Sequence, residues 1–289
     1  MWLVFSFASA FFAGASTLLA KMGVQAMDSN LATAIRTLVV LVFAWFMVFL
    51  TGSFSTIHSI DIGSFVFLIA SGLTTGASWL CYFRALRTGA INKVVPIDKA
   101  STILTMLLAF LFLNEPVSAA TAVAMVFIGG GTWLMIEKKR EEPPADKADE
   151  KNGWFLYAVL SAVFAALTAI LGKIGIEGVE SNLGAAIRTV VVTVMAWLIV
   201  FSRKSAIHIA SIDTRGWRHL IASGIATGAS WLCFYRALQS GPVSIVVPVD
   251  KLSILFSVLF GMVVLHEKIS RISAIGLACI AIGTLLLVA

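Results

Sequence analysis

Residues 69–86 read IASGLTTGASWLCYFRAL, and residues 221–238 read IASGIATGASWLCFYRAL. The second copy begins 221 − 69 = 152 positions after the first. The same offset carries Lys21 to Lys173, Arg36 to Arg188, Trp79 to Trp231 and Arg84 to Arg236. It also carries Pro96 to Pro248 and the pair Asp98-Lys99 to Asp250-Lys251. Solenoid repeats run to roughly 20–50 residues. A period three times longer, kept in register from end to end, is a duplicated half-molecule.

Composition places both halves in lipid. Apolar residues make up 59% of the 289 and charged residues 12%, and the mean hydropathy is +0.97. Soluble domains carry roughly 25% charged residues. A helical span needs about 20 apolar residues. By that measure the first half offers spans at 2–24, 31–50, 63–86, 91–113 and 117–136, and the second at 154–176, 183–201, 217–238, 243–265 and 269–288. The expected fold is an all-α integral membrane protein with ten transmembrane helices in two five-helix repeats, 1–136 and 154–289. Between them, 137–153 (EKKREEPPADKADEKNG) is charged and free of large apolar residues, a solvated linker. The opening MWLVF lacks a basic segment, so the first apolar stretch reads as a permanent helix rather than a cleaved signal. Cys81, Cys233 and Cys279 read as free thiols inside apolar segments.

Five spans per half is an odd number, so the second half enters the membrane the other way up, as an inverted repeat. Thirteen basic residues do not recur between halves: Arg87, Lys93, Lys138, Lys139, Arg140, Lys147, Lys151, Arg203, Lys204, Arg215, Arg218, Lys268 and Arg271. In the ten-span arrangement all of them fall on the linker side. Basic loops stay cytoplasmic, which predicts a cytoplasmic linker and external termini.

Charges within spans are expensive and mark function or pairing. Lys21, Arg36, Arg84 and Lys99 gather with Asp98 toward one face; Lys173, Arg188, Arg236 and Lys251 gather with Asp250 toward the other. They read either as snorkelling and salt-bridged staples or as charge clusters that gate each side. Asp98, Ser101, Thr102 and Thr105 share one helical face, and Asp250, Ser253 and Ser257 repeat it. Pro96 and Pro248 lie two residues before each acid and remove a backbone donor, leaving the carbonyls of Asn92 and Ser244 without a partner one turn upstream. These stripes, with Trp79 and Trp231, are the candidate lining of a substrate cavity. The pairs Gly72/Gly76 and Gly224/Gly228 read as close helix contacts. His58, His208, His219 and His266 read as solvated residues in or near loops. No catalytic constellation, metal site or cofactor motif stands out.

Several features together resemble the drug/metabolite transporter superfamily in its EamA-type branch. They are the Gly-Ala-Ser-Trp third helix, the proline-bearing fourth helix, and the turns Asn114-Glu115-Pro116 and His266-Glu267-Lys268 before the fifth. The resemblance implies a ten-helix inverted-repeat fold, a central cavity and alternating access for a small metabolite. Two departures stand out. Many fused members look as if both termini are cytoplasmic. The small multidrug exporters of the superfamily use a Glu within the first helix, which neither half has.

The expected function is a plasma-membrane transporter, not an enzyme, moving a small polar metabolite outward. The excess of recurring cations favours an anionic or amino-acid-like substrate. Its partners are that substrate and the bilayer, with no nucleic acid, and a homodimer is an allowed assembly. The alternatives are a lipid-carrier flippase subunit and a non-transporting membrane scaffold.

Overall fold

The protein, represented by a computed structural model, is described over residues 1–23, 29–88, 91–135, 153–203, 212–266 and 269–288. The expected linker (apart from its last residue) and His208 lie outside the described residues. Among the described residues the structure is helical throughout. In lipid a backbone amide has no water to turn to, so the chain satisfies its own donors along helices.

In the first half these are α1 (Trp2–Gly23), α2 (Ser29–Leu50), a short 3-10 helix (Ser53–Ser59), α3 (Ile62–Thr88), α4 (Ile91–Lys99), α5 (Ser101–Phe112) and α6 (Ala119–Met135). The second half gives α7 (Gly153–Ile176), α8 (Ser181–Ser202), α9 (Thr214–Ser240), α10 (Val243–Lys251), α11 (Ser253–Val264) and α12 (Arg271–Leu286). Among the described residues, seven helical stretches are long and apolar enough to cross a membrane, counting Lys93–Phe112 and Val243–Val264 each as one. The apolar helices α6 and α12 are shorter, at 17 and 16 residues. In α9 the first turns carry Arg215, Arg218 and His219, so His219 stands within a helix.

The segments 91–113 and 243–265, expected as single helices, are each interrupted. Ala100 (φ −62°, ψ −13°) separates α4 from α5, and Leu252 (φ −60°, ψ −10°) separates α10 from α11. Both have 3-10-like torsions. The interruption falls one turn after the proline rather than before it. Asp98-Lys99 therefore end one helix while Ser101 and Thr102 begin the next.

Lipid exposure leaves a plain signature. On α2, Leu38, Val42, Phe46 and Phe49 point outward in one stripe; on α8, Val190, Val194, Leu198 and Phe201 do the same at the repeat-equivalent positions. The buried face of α1 is instead small and polar: Ser6, Ser9, Ala10, Gly14 and Ser16. Large apolar side chains gain nothing by leaving lipid, so helix contacts go to small residues and hydroxyls.

The chain divides into two compact units, each drawing on both sequence halves. The first comprises 1–73, 171–241 and 249–267. In it α1 packs on α9 and α11, α2 packs on α8 and α9, and α8 packs on α9. Glycines set the spacing: a Cβ on Gly224 would stand 2.6 Å from Val39 Cβ, and one on Gly72 2.7 Å from Val191 Cβ. Those are the same contact in its two repeat copies. The second unit comprises 74–170, 242–248 and 268–289. Its tightest seam joins α6 to α12, where a Cβ on Gly131 would meet the Gly276 carbonyl at 2.5 Å.

The turns before α6 and α12 show why their residues recur. Asn114 (φ 51°) and His266 (φ 53°) are the two left-handed non-glycine residues among those described. They are repeat equivalents, and Asn and His are among the side chains that tolerate this region best. One residue on, Glu115 accepts hydrogen bonds from the amides of Val243 (2.6 Å) and Ser244 (2.8 Å). The carboxylate thus caps the N-terminus of α10, where free amides and the helix dipole favour a negative charge.

Candidate functional site

The recurring carboxylates are each held by a serine from a distant helix. In the first unit Ser9 of α1 donates to Asp250 Oδ1 at 2.6 Å and lies 3.2 Å from Ser230 Oγ of α9. In the second unit Ser161 of α7 donates to Asp98 Oδ1 at 2.8 Å, and Ser78 of α3 donates to the Ser161 carbonyl at 3.0 Å. Ser9 and Ser161 are repeat equivalents, as are Ser78 and Ser230, so one motif is built twice. Each motif joins the acid ending a broken helix to the small face of a neighbour.

A second tier of hydroxyls extends both motifs. Ser16 meets Ser223 and Thr227 in the first unit, with Ser16 Oγ 2.5 Å from Thr227 Oγ1. In the second, Thr168 lies 3.1 Å from Thr74 and 3.3 Å from Thr75. The positions 16 and 168, and 75 and 227, again match across the repeat. Sequence reasoning passed over all of these hydroxyls, although all but Thr74, whose counterpart is Ala226, recur at the same offset as the acids do.

The expected cavity residues are distributed as follows. The Asp98 side chain is 20% exposed, and its Oδ2 stands 3.9 Å from Lys99 Nζ. Ser101 and Thr105 are buried, and the Thr105 hydroxyl donates to the Ser101 carbonyl at 2.8 Å. Ser257 turns back in the same way onto the Ser253 carbonyl. Serine and threonine commonly satisfy themselves like this within a helix. Trp79 is half-buried on α3. Trp231 lies beneath Arg188, whose guanidinium carbon is 5.1 Å from the Trp231 ring and 5.4 Å from that of Tyr235. In the second unit a cavity of about 290 Å³ opens beside the α4–α5 break, between Pro96, Lys99 and Ala100 on one side and Thr132 and Trp133 of α6 on the other.

The expected charge clusters take several partners. Arg36 donates through Nη2 to Ser16 (2.8 Å) and Thr227 (2.9 Å). Arg188 donates through Nε to Ser71 at 3.1 Å. Lys173 donates to the carbonyls of Leu238 (2.6 Å) and Gly241 (3.1 Å), tying down the end of α9. Arg236 donates to the side chain of Gln239. Arg84 stands over the Tyr157 ring at 5.7 Å. Lys21 is exposed near the end of α1, and Lys251 is half-buried beside Asp250. Hydroxyls, carbonyls and rings can each carry part of a cation's solvation.

Comparison with known proteins bears on the family and the fold. Residues 1–137 and 152–289 each match the model of the EamA-like transporter family. A protein of Sinorhizobium sp., described as an uncharacterized transporter in the cobO 3' region, is 43% identical over 136 residues. That match takes up 47% of this chain and 96% of the relative, which is therefore about one repeat long. A protein of known crystal structure superposes with a TM-score of 0.76 at 18% identity, covering 99% of this chain and 96% of its own, a likeness of fold. With both halves matched and lipid-facing helices throughout, this multi-pass membrane protein belongs to the EamA-like transporter family.

Proposed function

We propose that the protein moves a small polar metabolite outward across the plasma membrane by alternating access. The body is ten spans in two inverted five-span halves. The linker lies in the cytoplasm and both termini lie outside. Family membership supports transport of a small molecule across a bilayer. The thirteen one-sided basic residues support the orientation.

The observation that carries the mechanism is the twice-built serine–aspartate contact, Ser9–Asp250 and Ser161–Asp98. Each joins a broken helix to a neighbouring one through a single charge-assisted hydrogen bond. Such a bond is worth roughly 1.5–3 kcal/mol. That is the size needed to tip a balance between states a few kcal/mol apart. In this reading one contact closes one side of the membrane and its repeat partner closes the other. The nearby recurring cations Lys99 and Lys251 set the charge of each gate. The polar face of Asp98, Ser101 and Thr105, its counterpart Asp250, Ser253 and Ser257, and Trp79 and Trp231 border the substrate path.

Comparative metabolite profiling tests the reading. Cells making the protein should hold less, and their medium more, of a small set of polar metabolites than cells lacking it. Asp98→Asn and Asp250→Asn should each abolish the difference while the protein still reaches the membrane. Identical profiles with and without the protein would refute it.

A further inference from the structure

The cavity of about 290 Å³ beside the α4–α5 break in the second unit is amphipathic. Its deep walls are Ile103 of α5 with Ile128 and Gly129 of α6, while Lys99, Thr132 and Trp133 supply its polar groups. The polar groups lie toward one membrane face. Helix α4 starts at Ile91, and α6 ends, within the described residues, at Met135; in the ten-span reading both ends lie on the linker side. Trp133 stands two residues before Met135, at the level where indoles bridge lipid and water. Lys99 lies about 12 Å along α4, at 1.5 Å per residue. Its side chain leans toward the helix N-terminus, which carries the ammonium back toward the headgroups.

The cavity opens sideways into lipid. Trp133 is 65% exposed, and Val126, Phe127 and Leu134 beside it on α6 are exposed apolar residues. The Lys99 side chain is 42% exposed, with Nζ 3.9 Å from Asp98 Oδ2. That distance is beyond hydrogen-bond range, and an ammonium carries three donors, so Lys99 can serve a phosphate while it stays beside the acid. One cation over an apolar cleft complements an amphiphile with one negative charge, and basic pockets between spans take anionic headgroups.

The second half keeps the lysine and gives up the room. At the equivalent positions Pro248, Lys251, Ile280 and Thr284 recur, but Ala100 becomes Leu252, Gly129 becomes Ala281 and Trp133 becomes Leu285. Ala100 is exposed, whereas Leu252 is buried. A Cβ on Gly129 would stand 2.6 Å from Ile103 Cδ1, so even a methyl group there crowds the cleft. The differences between near-identical halves thus fall on the residues that leave the cleft open.

We infer that this cleft binds an anionic phospholipid of the linker-side leaflet, typified by phosphatidylglycerol, with an acyl chain along Ile103 and Ile128 and the phosphodiester on Lys99. The inference needs only the fold and its placement in lipid, so it stands independently of the transported solute.

The test uses the full chain in phosphatidylcholine bilayers containing a small fraction of lipid brominated on its acyl chain, because bromine quenches an indole that it touches. The signal from Trp133 is the quenching lost in Trp133→Phe. Brominated phosphatidylglycerol should quench it at about fivefold lower concentration than brominated phosphatidylcholine. Lys99→Gln should erase that preference and Lys99→Arg should keep it. Ala100→Leu, which installs the residue of the second half, should erase it by filling the cleft. Lys93→Gln removes an exposed charge near the same face, 5.9 Å from the Trp154 ring, and should leave the preference as it is. Inorganic phosphate at constant ionic strength should not relieve the quenching. If Lys99→Gln fails to fold, Ala100→Leu decides. The site is overturned by any of four results: equal quenching by the two lipids in the native protein, native preference in Lys99→Gln or Ala100→Leu, an equal loss in Lys93→Gln, which would mark general attraction to a basic surface, or relief by inorganic phosphate, which would mark a site for a soluble anion.

Discussion

Ser161→Ala and Ser9→Ala probe the gate more gently than removing the acids. Ser161 donates to Asp98 at 2.8 Å and Ser9 to Asp250 at 2.6 Å, so each substitution deletes one hydrogen bond to a carboxylate and leaves the charge. The Asp98 side chain is 20% exposed, which leaves solvent little room to replace the lost donor. Charge-assisted hydrogen bonds contribute roughly 1.5–3 kcal/mol, equivalent to about a 10–100-fold change in the ratio of open to closed forms. The protein carries its own reporters. Cys81 and Cys233 are half-buried repeat equivalents, and each stands three residues beyond the serine of its motif, Ser78 or Ser230, hence on the same side of its helix. Two variants, each retaining one of these thiols and lacking Cys279, can be labelled with a membrane-impermeant maleimide. Ser161→Ala should accelerate labelling of Cys81 by about tenfold or more and leave Cys233 unchanged. Ser9→Ala should do the opposite. Equal changes at both thiols, or no change in either variant with the protein folded, would reduce the serine–aspartate contacts to structural staples.

Other consequences are open to direct measurement. Gly224→Ala and Gly72→Ala each drive a Cβ to within 2.6–2.7 Å of a valine Cβ, so each should destabilise by about 1–3 kcal/mol, seen as a lowered melting temperature; native stability in both would show that these seams yield. Glu115→Ala removes the acceptor of two amides at the start of α10 and should cost about 1–2 kcal/mol, whereas Glu115→Gln keeps one amide acceptor and should cost less. A reporter fused after Ala289 should read as external; a cytoplasmic signal would reverse the orientation and leave the fold untouched.

The amino-acid sequence by itself determined the repeat, its offset, the apolar helices and the family. Those properties depend on composition and spacing along one chain, and they are repeated in both halves. It also marked the acids that anchor the two motifs, because an acid within an apolar span is conspicuous. Tertiary structure decided what those acids touch. Asp250 is held by Ser9, 241 positions away, and a serine in an apolar helix carries no outward sign of whether it bonds its own backbone or a neighbour. Thr105 does the first and Ser161 the second, a choice made by which helix packs against them. The helix breaks at Ala100 and Leu252 follow the same logic, since a proline announces a disturbance and packing sets where it falls. The two arginines are the clearest case. Arg36 and Arg188 are equivalent in sequence, yet Ser71, Trp231 and Tyr235 cover one while the other keeps an unused donor. Near-identical halves diverge there because an arginine's solvation is supplied by several helices at once, and no single stretch of sequence contains them.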